Sequence, residues 1–110
     1  KKSNNISLLK PLNYLDSIKL IKDAKTVVTD SGGIQKEAYM LRTPCVTLRE
    51  DTEWVETLSK GSNVLVGSDK NKIINALTSS DYFSNWKNYY GDGSASNKIV
   101  NKIQTFLAND

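Results

Sequence analysis

The stretch TVVTDSGGIQKEAYMLRTPCVTLR, Thr26–Arg49, decides the fold of this chain. A short β-type run with Val27 and Val28 at its centre stops at Asp-Ser-Gly-Gly, and a helical pattern begins directly after it. A second β-type run, Cys45–Leu48, comes directly after Pro44. Because strand, helix and strand follow one another in so short a span, the stretch predicts parallel strands joined by a crossover helix.

The same alternation extends along the chain. The pattern predicts strands at 6–9, 26–29, 45–48 and 63–66, and helices at about 13–24, 33–41, 52–60, from Ser68 or Asp69 onward, and at 96–108. This order predicts an α/β fold, a Rossmann-like parallel sheet with helices on both faces. The loops that follow the strands then meet at the carboxyl edge of the sheet, where such folds bind ligands.

Length and composition fit one globular domain, residues 1–110. The chain is 38% hydrophobic and 25% charged, and no apolar run approaches the roughly 20 residues that span a bilayer. The net charge of +3 is spread without a basic block. We therefore expect neither membrane insertion nor nucleic-acid binding.

Cysteine and histidine usage narrows the chemistry. The chain has one cysteine, Cys45, and no histidine. An internal disulfide and a nitrogen–sulfur zinc site are therefore excluded, no metal site is expected, and a reducing cytoplasm is the expected location. The commonest general acid–base and the Ser-His-Asp arrangement are also excluded, which constrains any catalytic role of this segment alone.

The Asp-Ser-Gly-Gly motif at the helix start is typical of an anion site. Glycines allow a ligand to approach the backbone, and the free N–H groups and helix dipole favour phosphate. Ser31 can cap the helix or donate to a phosphate, with Gly32 and Gly33 beside it. Glu37 shares a face with Gly33, one turn away, where a carboxylate can accept ribose hydroxyls. The motif thus fits a nucleotide diphosphate, and equally a Ser-capped helix whose glycines allow tight strand–helix packing.

Two further clusters stand out. The segment Leu48–Glu56, LREDTEWVE, carries four acidic residues, an arginine and a tryptophan at the same predicted edge of the sheet. These side chains suit sugar hydroxyls, although Asp51 or Thr52 can equally cap a helix whose first turn favours Glu. The segment Tyr89–Ala95, YYGDGSA, is more typical of a turn than of a site.

Together these motifs resemble a known family. VTDSGGIQKEA, PCVTLREDTEWVE, GSNVLVG and YGDGSAS, in this order, resemble the C-terminal half of the non-hydrolysing UDP-N-acetylglucosamine 2-epimerases, from about Leu12 to Phe106. The resemblance implies the C-terminal half of a GT-B fold, with UDP-sugar bound in the cleft between two Rossmann-like domains. It also implies inversion at C2 of the sugar without an added cofactor, by elimination of UDP to a 2-acetamidoglucal and its re-addition.

The resemblance also implies roles for single residues. The diphosphate would contact Ser31, Gly32 and Gly33, the ribose Glu37, and the cleft would be lined by Asp30, Arg49, Glu53 and Trp54. Many members of the family carry Arg-Pro where this chain has Trp54-Val55. The Thr-Glu-Trp-Val-Glu form resembles the branch acting on UDP-2,3-diacetamido-2,3-dideoxy-glucuronic acid.

In the family, the acid–base carboxylates and a key His lie in the amino-terminal half, which nothing in this chain matches. We therefore expect a UDP-binding C-terminal domain that is inactive alone. Its partners would be a UDP-sugar and the N-terminal domain of the same enzyme, a cytoplasmic homodimer that makes precursors of cell-surface polysaccharide. A glycosyltransferase half of the same fold and a non-catalytic nucleotide-binding domain are the alternatives. The closing helix would leave its apolar face partly exposed, a route to self-association.

Overall fold

The computed structural model describes residues 5–78 and 86–109, with residues 59 and 60 described by their backbone alone. This part of the chain contains a three-stranded parallel sheet in the order β1 (Val27–Thr29), β2 (Cys45–Thr47), β3 (Asn63–Leu65). The helices are α1 (Tyr14–Asp23), α2 (Gly32–Met40), α3 (Lys70–Thr78) and α4 (Ala95–Ala108), and a 3-10 helix spans Val55–Gly61. The predicted fold class is confirmed.

The central strand β2 is buried on both faces. Successive strand side chains point to opposite faces of a sheet. Cys45 packs with Ile21 of α1 and Ala38 of α2, whereas Val46 packs with Ala76 of α3. One face of the sheet therefore carries α1 and α2, and the other carries α3, as the continuous apolar run of β2 requires.

Side-chain caps define where two of the helices begin. The Asn13 side chain accepts a hydrogen bond of 2.8 Å from the N–H of Asp16 at the start of α1. At the start of α3, the Asp69 carboxylate accepts a bond of 3.0 Å from the N–H of Lys72. Each cap satisfies an N–H that has no partner within the helix. Of the two predicted caps of α3, the structure uses Asp69.

The strand predicted at 6–9 is wrong. These residues have no regular structure, and Ile6, Leu8 and Leu9 are 64%, 78% and 63% exposed. A short apolar run becomes a strand when it pairs with a neighbour and buries one face, and this run does neither. Within the described residues the sheet therefore has three strands, with β1 at its edge.

The helix predicted at 52–60 is instead a 3-10 helix that begins at Val55. The Thr52 hydroxyl accepts a hydrogen bond of 3.1 Å from the N–H of Trp54, only two residues further on. This local bond forms a turn, which delays the helix. Gly61, with φ of +79°, ends it as the sequence indicated, because this backbone conformation cannot continue a right-handed helix.

The helix α4 has the predicted apolar stripe, but none of its described side chains is buried. Ile99, Ile103 and Phe106 are 58%, 53% and 71% exposed, so the expectation of an exposed apolar face is confirmed. Across the described residues, no helix combines the length and apolar character needed to cross a membrane.

Replacing Val46 by Ala should lower the free energy of unfolding by about 2 kcal/mol, because the deleted methyl groups leave a cavity between the sheet and α3. Val28, its register partner on β1, is 45% exposed, whereas Val46 is 0% exposed. Val28→Ala is therefore the matched control and should cost less than about 1 kcal/mol. Urea unfolding followed by circular dichroism measures both; equal losses would contradict the two-faced burial of β2.

Candidate functional site

The loops that follow the three strands meet at one edge of the sheet, here called the rim. The N–H of Leu48 donates to the carbonyl oxygen of Thr29 at 2.8 Å, which joins the first and second loops. The N–H of Gly67 donates to the carbonyl oxygen of Arg49 at 3.0 Å, which joins the second and third. The predicted gathering of loops is therefore present.

The first turn of α2 forms the centre of the rim. The Ser31 hydroxyl oxygen accepts a bond of 3.4 Å from the N–H of Ile34, so Ser31 is the predicted N-cap. The N–H groups of Gly32 and Gly33 lie in the first turn, so no carbonyl group within the helix can accept their hydrogen bonds. No acidic residue lies in this turn. With the positive end of the helix dipole added, this turn favours an anion.

The two glycines of this turn have different surroundings. A Cβ placed on Gly32 would overlap the Glu53 carboxylate and lie 3.5 Å from Nε1 of Trp54. A Cβ placed on Gly33 would have nothing within 4 Å. Gly32 thus leaves room for the Glu53 carboxylate, and the segment that packs closely against it is the second loop, not a strand as in the alternative explanation of the motif. Beside Gly33 the space is open to a ligand.

Glu53 is held at this position by Arg49. Nη1 of Arg49 lies 3.2 Å from Oε2 of Glu53, and Nη2 lies 3.2 Å from Oδ1 of Asp51. Exposed ion pairs of this kind add little stability, but two of them fix the direction of the guanidinium group. The structure therefore brings together four of the predicted residues: Gly32, Arg49, Glu53 and Trp54.

Trp54 contacts a lysine that the sequence analysis missed. Nζ of Lys36 lies 4.9 Å from the centroid of the Trp54 ring and 5.2 Å from that of Tyr90, and the two rings meet edge to face at 5.9 Å. Lys36 follows Gly32 by four residues and shares its helix face, a spacing visible in the sequence. Nε1 of Trp54 is buried and has no hydrogen-bond partner among the described residues.

Glu37 and Asp30 lie apart from that cluster. Glu37 is half-buried on the face of α2 that carries Gly33, about 100° around the helix from Lys36. Its carboxylate makes no hydrogen bond or ion pair with any described residue. Asp30 is exposed at the end of β1. The rim thus has a carboxylate on one side of the first turn of α2 and the Trp54 cluster on the other.

A buried polar network lies beneath the rim, and the sequence analysis missed it. Its central side chains, Gln35, Thr47, Thr57 and Asn63, are between 0% and 3% exposed. Asn63 joins them, accepting from Thr47 at 2.5 Å and donating to Thr57 at 2.9 Å and to Gln35 at 3.0 Å. The sequence did contain one sign of this network: Asn63 is a polar residue within a predicted strand. A polar side chain that is buried there needs a hydrogen-bond partner.

The only cysteine lies in the core and belongs to no reactive site. Burial raises the pKa of the Cys45 thiol, an effect that a hydrogen-bonding contact of 3.6 Å with the Thr47 hydroxyl partly opposes. A thiol that stays protonated is a poor nucleophile and a poor metal ligand. Cys45 therefore contributes to packing.

The segment Tyr89–Ala95 forms the predicted turn. Gly91 and Gly93 have φ of +92° and +89°, conformations that glycine adopts without strain. The Asp92 carboxylate accepts hydrogen bonds from the N–H and the hydroxyl of Ser94. Sequence reasoning did not foresee that this turn places Tyr90 against Trp54.

Comparison with known proteins agrees with this geometry. The family model described as UDP-N-acetylglucosamine 2-epimerase matches residues 1–104. The chain belongs to this epimerase family. A relative from Methanococcus maripaludis, a UDP-N-acetylglucosamine 2-epimerase homolog, is 49% identical over 105 residues, which are 94% of this chain and 29% of the relative.

Two further epimerases extend the comparison. The UDP-2,3-diacetamido-2,3-dideoxy-D-glucuronate 2-epimerase of Pseudomonas aeruginosa is 41% identical over 97 residues, 86% of this chain and 27% of the relative. The crystal structure of the Methanocaldococcus jannaschii UDP-GlcNAc 2-epimerase, in complex with UDP-GlcNAc and UDP, matches with a TM-score of 0.78 at 41% identity.

That match covers 94% of this chain and 29% of the M. jannaschii chain. The chain therefore spans less than a third of the length of these epimerases. Its parallel sheet with helices on both faces corresponds to the C-terminal half of their GT-B fold.

Tyr90 provides a probe of the rim. Burial, and then the Glu56 carboxylate that accepts the phenol hydrogen bond at 3.3 Å, raise the pKa of Tyr90 from 10.0 to about 12. Glu56→Gln should lower this pKa without returning it to 10.0, because burial remains. In the native chain, stability should fall as pH rises from 10 towards 12, because the unfolded state loses its proton first.

NMR titration of the Tyr90 ring signals measures the pKa. Asp51→Asn is the control, since it removes a carboxylate of the same segment that pairs with Arg49 instead. Equal shifts from both variants would show that the Glu56 contact has no specific effect.

Proposed function

We propose that this chain is the UDP-binding part of a UDP-N-acetylglucosamine 2-epimerase, or of a 2-epimerase for a related UDP-2-acetamido sugar. The observation that carries the proposal is the first turn of α2. Its backbone N–H groups at Gly32 and Gly33 have no partner among the described residues and border open space beside Gly33. The family match and the M. jannaschii epimerase structure with UDP-GlcNAc and UDP support it.

The diphosphate binds at Ser31, Gly32 and Gly33. Ser31 uses its hydroxyl oxygen to accept from Ile34, which leaves the hydroxyl proton to donate to a phosphate oxygen. The N–H groups of the two glycines donate to the same group, and the helix dipole adds a favourable interaction with its negative charge. Because Glu53 fills the space beside Gly32, the diphosphate approaches from the side of Gly33.

The ribose binds at Glu37. Its carboxylate lies one helical turn beyond Gly33, far enough from the diphosphate to avoid direct contact. A carboxylate with no protein partner can accept hydrogen bonds from two adjacent ribose hydroxyls. Charge-assisted bonds of this type are stronger than bonds between neutral groups.

The sugar binds on the opposite side of the first turn, where Arg49, Glu53 and Trp54 meet. This direction follows because the ribose and the sugar leave the diphosphate at opposite ends. Arg49 is already paired with two carboxylates, so Lys36 is the cation of this cluster without a carboxylate partner in the described chain. Trp54 supplies an aromatic surface. Asp30 is exposed and lies apart from these side chains, and it borders the wider cleft between the two domains.

In the reaction a base removes the C2 proton as UDP leaves C1, which gives a 2-acetamidoglucal. Protonation of C2 on the opposite face and re-addition of UDP to C1 complete the inversion, with no added cofactor or metal. This chain contributes the binding of the leaving group: its N–H groups and Ser31 stabilise the charge that develops on the departing diphosphate. The acid–base groups come from the N-terminal domain, as the family resemblance implies, and the lack of histidine in this chain is consistent with that division.

The wider setting forms part of the proposal. The residues 1–110 make one domain of a homodimeric cytoplasmic enzyme that supplies precursors of cell-surface polysaccharide. An enzyme containing this chain should convert a UDP-sugar without an acceptor. A requirement for an acceptor would favour the glycosyltransferase alternative. The absence of any turnover would favour a non-catalytic nucleotide-binding domain.

The two glycines offer a matched test. Gly33→Ala should leave the fold intact or stabilise it by about 0.5–1 kcal/mol through helix propensity, because its Cβ meets no protein atom. The same Cβ should weaken UDP binding about tenfold, because it occupies the path of the diphosphate. NMR titration with millimolar UDP measures the affinity, and in the native chain the amides of Ser31, Gly32 and Gly33 should shift first.

Gly32→Ala is the counterpart. Its Cβ overlaps the end of the flexible Glu53 side chain, which must turn away from Arg49. Because exposed ion pairs add little stability, urea unfolding should show only a small loss, of less than about 1 kcal/mol. The diphosphate assignment is wrong if millimolar UDP leaves the three amide signals unchanged, or if Gly33→Ala binds UDP as tightly as the native chain.

Glu37→Gln should weaken binding of UDP more than binding of 2′-deoxy-UDP, because the amide keeps one acceptor but loses the charge that strengthens the ribose bonds. Calorimetry with both ligands gives the comparison. Glu56→Gln serves as the control, since Glu56 bonds with Tyr90 in the Trp54 cluster and should alter both affinities alike. Equal losses for the two ligands in Glu37→Gln would refute the ribose role.

A further inference from the structure

A closed ring of hydrogen bonds joins α2, β3 and the loop after β2 beneath the rim. Its members are the side chains of Gln35, Thr52, Thr57 and Asn63 and the backbone of Trp54; we call it the polar ring. We propose that Gln35 is a positioning residue: through this ring it fixes Glu53 and Trp54 over the first turn of α2, and so determines how the site recognises the sugar of its ligand.

Gln35 uses both ends of its amide. Its Oε1 accepts from the Thr52 hydroxyl at 2.6 Å and from Nδ2 of Asn63 at 3.0 Å. Its Nε2 donates to the carbonyl oxygen of Ser31 at 3.3 Å. One fully buried side chain therefore contacts the cap of the diphosphate helix, the loop after β2 and the strand β3.

The ring closes through the main chain of Trp54. The N–H of Trp54 donates to the Thr52 hydroxyl at 3.1 Å, and its carbonyl oxygen accepts from the Thr57 hydroxyl at 2.6 Å. Nδ2 of Asn63 donates to the Thr57 hydroxyl at 2.9 Å and also to Oε1 of Gln35, and this second bond closes the ring. Both polar backbone groups of Trp54 are thus fixed.

The order of donors and acceptors in the ring is unique. Thr52 and Thr57 each donate one bond and accept one, so neither hydroxyl can reverse without leaving a buried group unpaired. Unpaired polar groups in the interior are costly, and linked bonds reinforce one another. Leucine at position 35 would offer no polar group, and glutamate would remove the donor to Ser31.

The ring acts on the ligand indirectly. Gln35 is 0% exposed and cannot touch a ligand at the rim, whereas Glu53 and Trp54, held by the ring, pack against Gly32 on the sugar side of the first turn. The N–H groups of Gly32 and Gly33 belong to α2 itself. Loss of the ring should therefore weaken contacts with the sugar more than contacts with the diphosphate.

Gln35→Leu in the 110-residue chain tests the inference, with Thr52→Val as a second, sterically matched variant that opens the same ring. Thr43→Val is the control: Thr43 is also buried, and its hydroxyl donates to Ile21 at 2.9 Å outside the ring. Each variant is titrated with UDP and with UDP-N-acetylglucosamine at a fixed folded fraction, which removes differences in stability.

The two tryptophans supply a ligand-free readout. Opening the ring should shift the indole N–H signal of Trp54, while that of Trp86, which donates to the carbonyl oxygen of Tyr39 at 2.8 Å, stays in place. Affinity for UDP-N-acetylglucosamine should fall about tenfold, equivalent to about 1.4 kcal/mol, and that for UDP should fall less than about twofold. Thr43→Val should leave both indole signals in place and should not change the ratio of the affinities for UDP-N-acetylglucosamine and UDP.

The inference is overturned if the ring variants lose affinity for both ligands equally, or if the Trp54 signal does not move. Its effect on affinity rests on the proposed function, but the indole readout does not. A native chain that binds neither ligand would therefore refute the proposed function, while the Trp54 and Trp86 signals would still decide whether Gln35 positions the loop.

Discussion

The close approach of the loop after β2 to the first turn of α2 is the constraint on which the rim depends. Two conditions make it possible: Gly32 has no Cβ where Glu53 lies, and partly buried hydrogen bonds hold the backbone of Trp54 from below. Each bond alone contributes little net stability, but breaking one leaves a buried group without a partner. The arrangement is therefore specific, because the alternatives are costly.

The two glycines of the Asp-Ser-Gly-Gly motif have different structural roles, which the sequence motif does not distinguish. Gly32 serves packing within the protein, and Gly33 leaves open space beside the helix. The helix can therefore present its N–H groups to a ligand and still contact a second loop closely. Ser31 likewise caps the helix with its oxygen and keeps its proton for another acceptor.

Local patterns in the sequence predicted most of the fold. The three strands, the caps at Ser31 and Asp69, and the helix end at Gly61 all follow from neighbouring residues, and the structure places them there. The wrong strand prediction has a physical cause. The run at 6–9 looked like a strand because its residues are apolar, but a strand also needs a partner, and sequence periodicity contains no information on pairing.

The site shows the same division. Contacts within one turn of α2, such as Gly33 with Glu37 on one face, follow from helical spacing. Contacts between distant segments do not: Trp54 with Tyr90, or Gln35 with Asn63, join residues 36 and 28 positions apart. Patterns of single residues gave no reason to connect them, although a polar Asn63 within a buried strand was a sign that some partner existed.

The absence of a side chain at Gly32 has a consequence for protein design. The Glu53 carboxylate fills the space that a Cβ at position 32 would occupy. Any residue larger than glycine there would require a redirected or shorter side chain at position 53. A graft of the Asp-Ser-Gly-Gly motif into another scaffold would therefore keep this loop geometry only if the segment that contains Glu53 were carried with it.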